Sequence, residues 1–373
     1  MLKPLPDYPW DQMLPFAEQA RAHADGIVDL SIGSPVDATP AVVQAALASA
    51  TDAHAYPQTT GTPALQQAII SWYARRRGVI GLAEGNVLPT IGSKELVALL
   101  PFMLGLGEGD TIVHPRAAYP TYAIGAAMAG ADSLPSDDPA EWPATTKLIW
   151  LNSPGNPDGR VLTVQALRAA VARARELGAV IVNDECYAEL GWDAPWTEEP
   201  IPSILDPRVT DGDTDNIVAI YSLSKQSNMA GYRGAFAAGS GSVLGRLLTV
   251  RKHAGLMLPA PLQAAMVAAL GDDEHVTVQR ERYRARREVL LPALIAAGFR
   301  IDNSEAGLYL WASAGVDAWD SIRRLAGLGI LAGPGPFYGD FYPRHVRFSL
   351  TAGDERINAA AARLRASVGD AAH

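Results

Sequence analysis

Between about residue 87 and residue 240, short β-branched runs alternate with longer, Ala-rich amphipathic stretches, and this alternation restricts the possible fold more than any other feature. Each run suits one buried strand and each stretch one covering helix, so the pattern predicts βαβ units and a mostly parallel sheet flanked by helices. The expected strands are 87–91, 111–114, 147–151, 179–183, 217–220 and 235–238. Helices are expected over 93–104, 119–129 and 163–177. From 242 to 297 the pattern becomes long and helical, and the chain then closes with strands near 308–312 and 345–350 and a helix over 354–365. The fold class is therefore α/β, a large domain with a smaller α+β domain. We expect an N-terminal arm and part of the small domain in 1–40, the large domain in 41–265 and the small C-terminal domain in 266–373. The turn-rich stretch 200–215 reads as a polar surface excursion.

Composition narrows the function classes. A net charge of −9 gives no basic face for phosphate neutralisation, which argues against a nucleic-acid scaffold. The one cysteine, Cys186, excludes an intrachain disulfide and a thiolate cluster, and the seven histidines show no metal-ligand spacing, so no metal is expected. Prolines and an acid break the first ten residues, and the apolar run 96–107 is too short for a membrane span. Small-molecule partners and a cytoplasmic location are the expectation.

Three strand ends carry chemistry. The segment Tyr221-Ser222-Leu223-Ser224-Lys225 follows a strand, and Arg233 stands eight positions beyond the lysine. A lysine among hydroxyls with an arginine fork nearby suits a carbonyl cofactor bearing a phosphate, although such a pair alone also suits a solvated loop. Upstream, Asn152-Ser-Pro154-Gly155-Asn156-Pro157 follows one apolar strand and Asp184-Glu185-Cys186-Tyr187 ends another. Ligands of parallel sheets bind outside the carboxyl ends of the strands, so Asn156, Asp184 with Tyr187, and Lys225 in that order form a candidate constellation. A further turn, Gly92-Ser93-Lys94, opens a helix with free N–H groups, but it matches neither a dinucleotide nor a P-loop fingerprint. Cys186 reads as a small packed side chain. Trp10 and Trp192 suit either a lid or a packed domain junction.

These motifs, in this register, resemble the class I/II pyridoxal-phosphate aminotransferases of fold type I over nearly the whole chain. The resemblance runs from Asp29-Leu-Ser-Ile-Gly33-Ser-Pro35 to Val346-Arg347-Phe-Ser-Leu350. It implies pyridoxal 5'-phosphate as cofactor, held by the large domain, with Lys225 as the Schiff-base lysine and proton carrier. It implies Asp184 at the pyridine nitrogen, Asn156 and Tyr187 at the ring hydroxyl, and Tyr119 stacked on the ring. Gly92, Ser93, Lys94, Ser222, Ser224 and Arg233 would form the phosphate cup. Tyr56 would reach the phosphate of a neighbouring subunit, so a homodimer with shared sites is implied. Arg347 would clamp the substrate α-carboxylate, with Gly33 leaving room for it.

Within the family, several segments look most like actinobacterial-type N-succinyl-LL-diaminopimelate aminotransferases of lysine biosynthesis. These are 5–11, 29–37, 184–192, 250–255 and 304–311. The implied reaction moves an amino group from glutamate to N-succinyl-2-amino-6-oxopimelate. A second substrate carboxylate would need a distant cation, for which Arg251, Lys252 and His253 are the candidates, while Arg116 beside Tyr119 alters the charge of the mouth. The alternatives are a broad-specificity amino acid aminotransferase or a C–S β-lyase on the same fold. A ligand-sensing regulator domain is the third class, but residues 1–30 are too short and too acidic to be its DNA-binding part.

Overall fold

A computed structural model describes residue 5 and residues 9–369. Most of the proline-broken start and the last four residues of the expected small domain lie outside the described residues. A seven-stranded sheet organises the larger part of the molecule. Its spatial order is Val87–Ile91, Gly234–Gly239, Ile217–Ser222, Val180–Asp184, Thr146–Asn152, Thr111–His114 and Asp132–Pro135. All run parallel except Gly234–Gly239, which is antiparallel to both neighbours. The central strands are buried along their whole length, as strands covered on both faces must be.

Helix ends follow local chemistry. Thr163 caps Val164–Leu177 by accepting from the Ala166 N–H, and Gly178 ends that helix in the left-handed region at φ +61°. Apolar residues from both faces of the sheet pack against the flanking helices in two clusters. The helix Ala260–Gly271 packs on Ala41–Ser49 and Pro63–Arg77, whereas the following helix, Glu274–Ala296, packs on Asp354–Gly369. The chain thus passes from one core to the other between these two helices. The second core surrounds an antiparallel sheet in the order Gly333–Pro334, His345–Ser349, Tyr309–Ser313, Arg300–Asp302. A two-residue parallel pair, Val28–Asp29 with Ile330–Leu331, ties the N-terminal stretch to it.

One expectation is corrected, and one strand was not foreseen. The stretch 200–215 is no polar surface excursion, because residues 201–206 are buried and Ile201, Ile204, Leu205 and Val209 join the large core. The buried Glu185 draws the segment in by accepting from Ser203 Oγ (2.9 Å) and the Ile204 N–H (2.8 Å). The edge strand Asp132–Pro135 also escaped the pattern, since its half-exposed sequence DSLP carries little β signal. Among the described residues no helix is long and apolar enough to cross a membrane.

Candidate active site

Three neighbouring strands deliver the constellation to one edge of the large sheet. Asn152 and Asp184 end adjacent strands as register partners, and Ser222 ends the next. Asn152 organises the first loop by donating to the carbonyls of Pro154 and Asp184 while its Oδ1 accepts the Asn156 N–H at 2.8 Å. Asp184 is buried and receives hydrogen bonds from the Cys186 N–H and the Tyr122 hydroxyl, both at 3.1 Å. Burial pushes its carboxyl above the usual carboxylate range, partly offset by those bonds. A cation placed beside it would relieve that cost.

Lys225 follows the Ser222 turn and donates through Nζ to the Gly33 carbonyl, which places the N-terminal loop over the lysine. Small-domain groups complete the pocket. Arg347 donates to Asn156 Oδ1 and to the Ser31 carbonyl, both at 2.7 Å, and its guanidinium carbon lies over the rings of Tyr309 and Tyr338, 3.9 and 4.6 Å from their centroids. Its Nε has no partner among the described residues, so the guanidinium keeps a donor for a ligand. Tyr187 and Tyr309 meet hydroxyl to hydroxyl at 3.3 Å. Burial pushes the Tyr187 phenol up. At Tyr309 burial acts the same way, but the charges of Arg347 and Lys225 outweigh it and hold the phenol below its ordinary value.

A second cluster forms where Val87–Ile91 turns into the helix Gly92–Met103. Gly92 takes φ +74°, and a Cβ there would overlap the Arg233 guanidinium. Arg233 is itself left-handed at φ +60° and donates to the Ala230 carbonyl. Ser222 Oγ donates to Ser224 Oγ at 2.9 Å and caps the Lys225 turn. Helix N–H groups, hydroxyls and a guanidinium therefore converge as an anion site requires.

Residues 25–364 match the family described as aminotransferase class I and II. The chain is 54% identical to the 4-dedimethylamino-4-oxo-anhydrotetracycline transaminase OxyQ of Streptomyces rimosus, over 97% of this chain and all of that protein. It is 52% identical to the probable aminotransferase Rv1178 of Mycobacterium tuberculosis, covering 96% of this chain and 85% of that one. An LL-diaminopimelate aminotransferase of Dehalococcoides mccartyi is 30% identical over 96% of both chains. The solved structure of an aminotransferase from Neisseria meningitidis superimposes with a TM-score of 0.88 at 27% identity, covering 98% of each chain. This chain is a class I/II aminotransferase. It has the fold type I architecture and depends on pyridoxal 5'-phosphate.

The residues present in this aminotransferase fit that cofactor. A side chain at Gly92 would fill the cradle in front of Arg233, and the buried Asp184 suits a protonated ring nitrogen. The fold brings Lys225, Asp184, Tyr187, Asn156, Gly33 and Arg347 into one cluster at the strand ends, and Gly92 and Arg233 together beside the turn that carries Ser222 and Ser224. Ser93 opens the helix beside Gly92 and is half-buried, and Lys94 is exposed. Tyr119 stands edge-on to Tyr122 at 5.9 Å.

Other expectations resolve differently. Arg251 is not a cation of the substrate mouth, because it is fully buried with Nη1 bonded to Glu95 at 2.7 and 2.9 Å. Its neighbours Lys252 and His253 are exposed in the last turn of Gly241–Ala254. Arg116 is paired with Glu141 at 3.0 Å and lies over the Phe341 ring. Trp192 is packed, donating to the Gly307 carbonyl, and Trp10 stands edge-on to Phe337. Cys186 is buried and burial raises its thiol well above the usual range, as a packed residue would have it.

The motifs left Tyr122, Asn152, Tyr309, Tyr338 and Glu95 without roles. Tyr122, a second tyrosine close after Tyr119 and in the first turn of the helix Thr121–Ala129, carried a usable signal. Tyr309 and Tyr338 carried none, since Tyr309 reaches Arg347 through the register of two paired strands, where Trp311 stands opposite Arg347, and Tyr338 through the short helix Gly335–Tyr338.

Proposed function

We propose that this aminotransferase interconverts N-succinyl-LL-2,6-diaminopimelate and N-succinyl-2-amino-6-oxopimelate, with glutamate and 2-oxoglutarate as the other pair. The observation that carries the amino acid part of this reading is Arg347, held by Asn156 and Ser31 with a donor to spare, in the pocket that also holds Lys225. A planar fork in that place suits an α-carboxylate, leaving the α-amino group toward the lysine. The likeness of the segments around Asp29–Asp37 and Asp184–Trp192 to succinyldiaminopimelate aminotransferases supports the substrate, and the relative named for LL-diaminopimelate agrees in class.

When bound, the cofactor supplies an aldehyde that accepts the amino group and a ring that takes up the electrons left by the α-proton. Lys225 holds the cofactor and moves that proton at Cα. Asp184 keeps the ring nitrogen protonated, while Asn156 and Tyr187 hold the ring hydroxyl and Tyr119 covers the ring. Gly92, Ser93, Lys94, Ser222, Ser224 and Arg233 hold the phosphate. Tyr56 serves a second copy of the chain: it is 96% exposed here, as a residue awaiting a partner would be.

A broad-specificity enzyme is the second reading, favoured by the name of the 54% identical relative, whose acceptor is a polycyclic ketone. A half-reaction screen separates them. Bound cofactor should be converted faster by succinyl-diaminopimelate and glutamate than by alanine, aspartate or aromatic amino acids. Conversion by succinyl-diaminopimelate no faster than by alanine would overturn the substrate and leave the aminotransferase standing.

A further inference from the structure

Glu95 lies one residue beyond the Gly92–Lys94 turn and accepts the Ile91 N–H through Oε2 at 3.1 Å. It therefore pins the turn from behind. The same carboxylate puts a negative charge within one helical turn of the N–H groups that would face a phosphate. Its charge partner arrives from a helix 156 positions away in sequence. Arg251 bonds both Glu95 oxygens through Nη1, and its side chain is completely buried against one that is 14% exposed. Glu95 is the only acid paired with Arg251 among the described residues, and Arg251 Nε and Nη2 have no hydrogen-bond partner there.

A buried guanidinium with two unused donors is poor value as a stabilising device. Desolvation of such a charge is costly, and a packed apolar side chain of similar size commonly does as well or better. What an apolar side chain could not do is cancel Glu95. We propose that Arg251 is a positioning residue of the cofactor site: it neutralises and fixes Glu95, so that the carboxylate can hold the Ile91 backbone without repelling the phosphate in front of it. The proposal rests on the reading that the Gly92 turn holds the cofactor phosphate. It assigns Arg251 to cofactor retention, not to substrate recognition.

The test compares pyridoxal 5'-phosphate with pyridoxal, which lacks the phosphate but bonds to the same lysine. Dissociation constants are measured on the apoprotein by absorbance or fluorescence, with thermal melting recorded alongside. Arg251→Met should weaken pyridoxal 5'-phosphate at least tenfold and change pyridoxal less than twofold. Adding Glu95→Gln, which keeps an acceptor for the Ile91 N–H, should restore the phosphorylated ligand to within threefold of wild type. Glu95→Gln alone should bind it as tightly as wild type or more tightly, a result that stands even if Arg251→Met folds poorly. Equal weakening of both ligands, no weakening of either, or no recovery in the double variant would overturn the proposal. Arg233→Met serves as the control for the underlying reading. If it fails to discriminate between the two ligands, the phosphate site lies elsewhere and the role of Arg251 falls with it.

Discussion

Arg347 and Asn156 are 191 residues apart in sequence, yet Nη1 of one donates to Oδ1 of the other at 2.7 Å across the boundary between the two sheets. The bond joins the small-domain strand His345–Ser349 to the loop that leaves a central strand of the large sheet. Ser31 adds a second bond from the N-terminal part, and the guanidinium also lies over the rings of Tyr309 and Tyr338. The group is thus fixed in plane and in tilt before any substrate arrives, which is the condition for orienting a carboxylate at little entropic cost.

Arg347→Lys should therefore lower kcat/KM for α-amino acids at least a hundredfold, about 2.7 kcal/mol of transition-state stabilisation, while the bound cofactor keeps its spectrum. A lysine cannot bond Asn156, Ser31 and a bidentate carboxylate together. Steady-state kinetics with an amino acid and with its decarboxylated amine check the assignment. The amine should show no such loss.

Asp184→Ala should cost several orders of magnitude in turnover, since nothing else among the described side chains bonded to it offers an anion: Tyr122 is a neutral phenol whose ionisation burial pushes well up. Asp184→Glu should recover part of the rate. Single-turnover absorbance with glutamate measures both. A loss of tenfold or less in the alanine variant, about 1.4 kcal/mol, would show that another group serves the ring nitrogen.

The pattern of buried strands was legible because burial on both faces leaves a mark that survives any context. The strands Val87–Ile91 and Thr111–His114 have the bounds that the apolar runs indicate. The placement of the candidate residues at three neighbouring strand ends was legible for a related reason, since a strand end fixes where a side chain emerges. Arg251 was misread because it opens the cationic run Arg251-Lys252-His253, whose other two members are exposed. Periodicity held the correction: Val243, Leu247 and Arg251 recur every fourth residue on the buried stripe of their helix. The stretch 201–206 was misread because its burial follows from a distant acid, Glu185, that no local pattern announces. Tyr309 depends in the same way on a cross-strand register, with Trp311 opposite Arg347, that no local pattern announces.

Gly33→Ala should damage the site through Tyr309. A Cβ at Gly33 would overlap the Tyr309 hydroxyl and stand 2.8 Å from its Cζ, while the Gly33 carbonyl carries the Lys225 contact. Either the ring or the N-terminal loop must shift. The expected outcome is a KM increase of tenfold or more with a smaller change in kcat, and partial recovery in Gly33→Ala with Tyr309→Phe, which removes the overlapping oxygen. Full activity in Gly33→Ala would mean that the loop is free to retreat.

Asp158 lies two residues beyond Asn156 in the same loop, and burial pushes its carboxyl from 3.8 up to about 6, against smaller opposing effects of the Arg160 N–H and charge. A raised carboxyl stabilises the fold only while it is protonated. Below about pH 4 both the folded and unfolded chains carry the proton, and the group is neutral in its effect. As the pH rises from about 4 to about 6 the unfolded chain releases the proton first, so stability falls, and above about 6 the full cost remains constant. That cost reaches at most about 3 kcal/mol for a shift of this size, and partial solvent access reduces it. Asp158→Asn keeps an oxygen for the Arg160 N–H and removes the ionisation. The variant should melt several degrees above wild type at pH 8, with the gap closing as the pH is lowered through 6 toward 4. Calorimetric melts of the two proteins at pH 4.5, 6 and 8 measure this directly, and a gap that is independent of pH would show that Asp158 stays ionised in the folded chain.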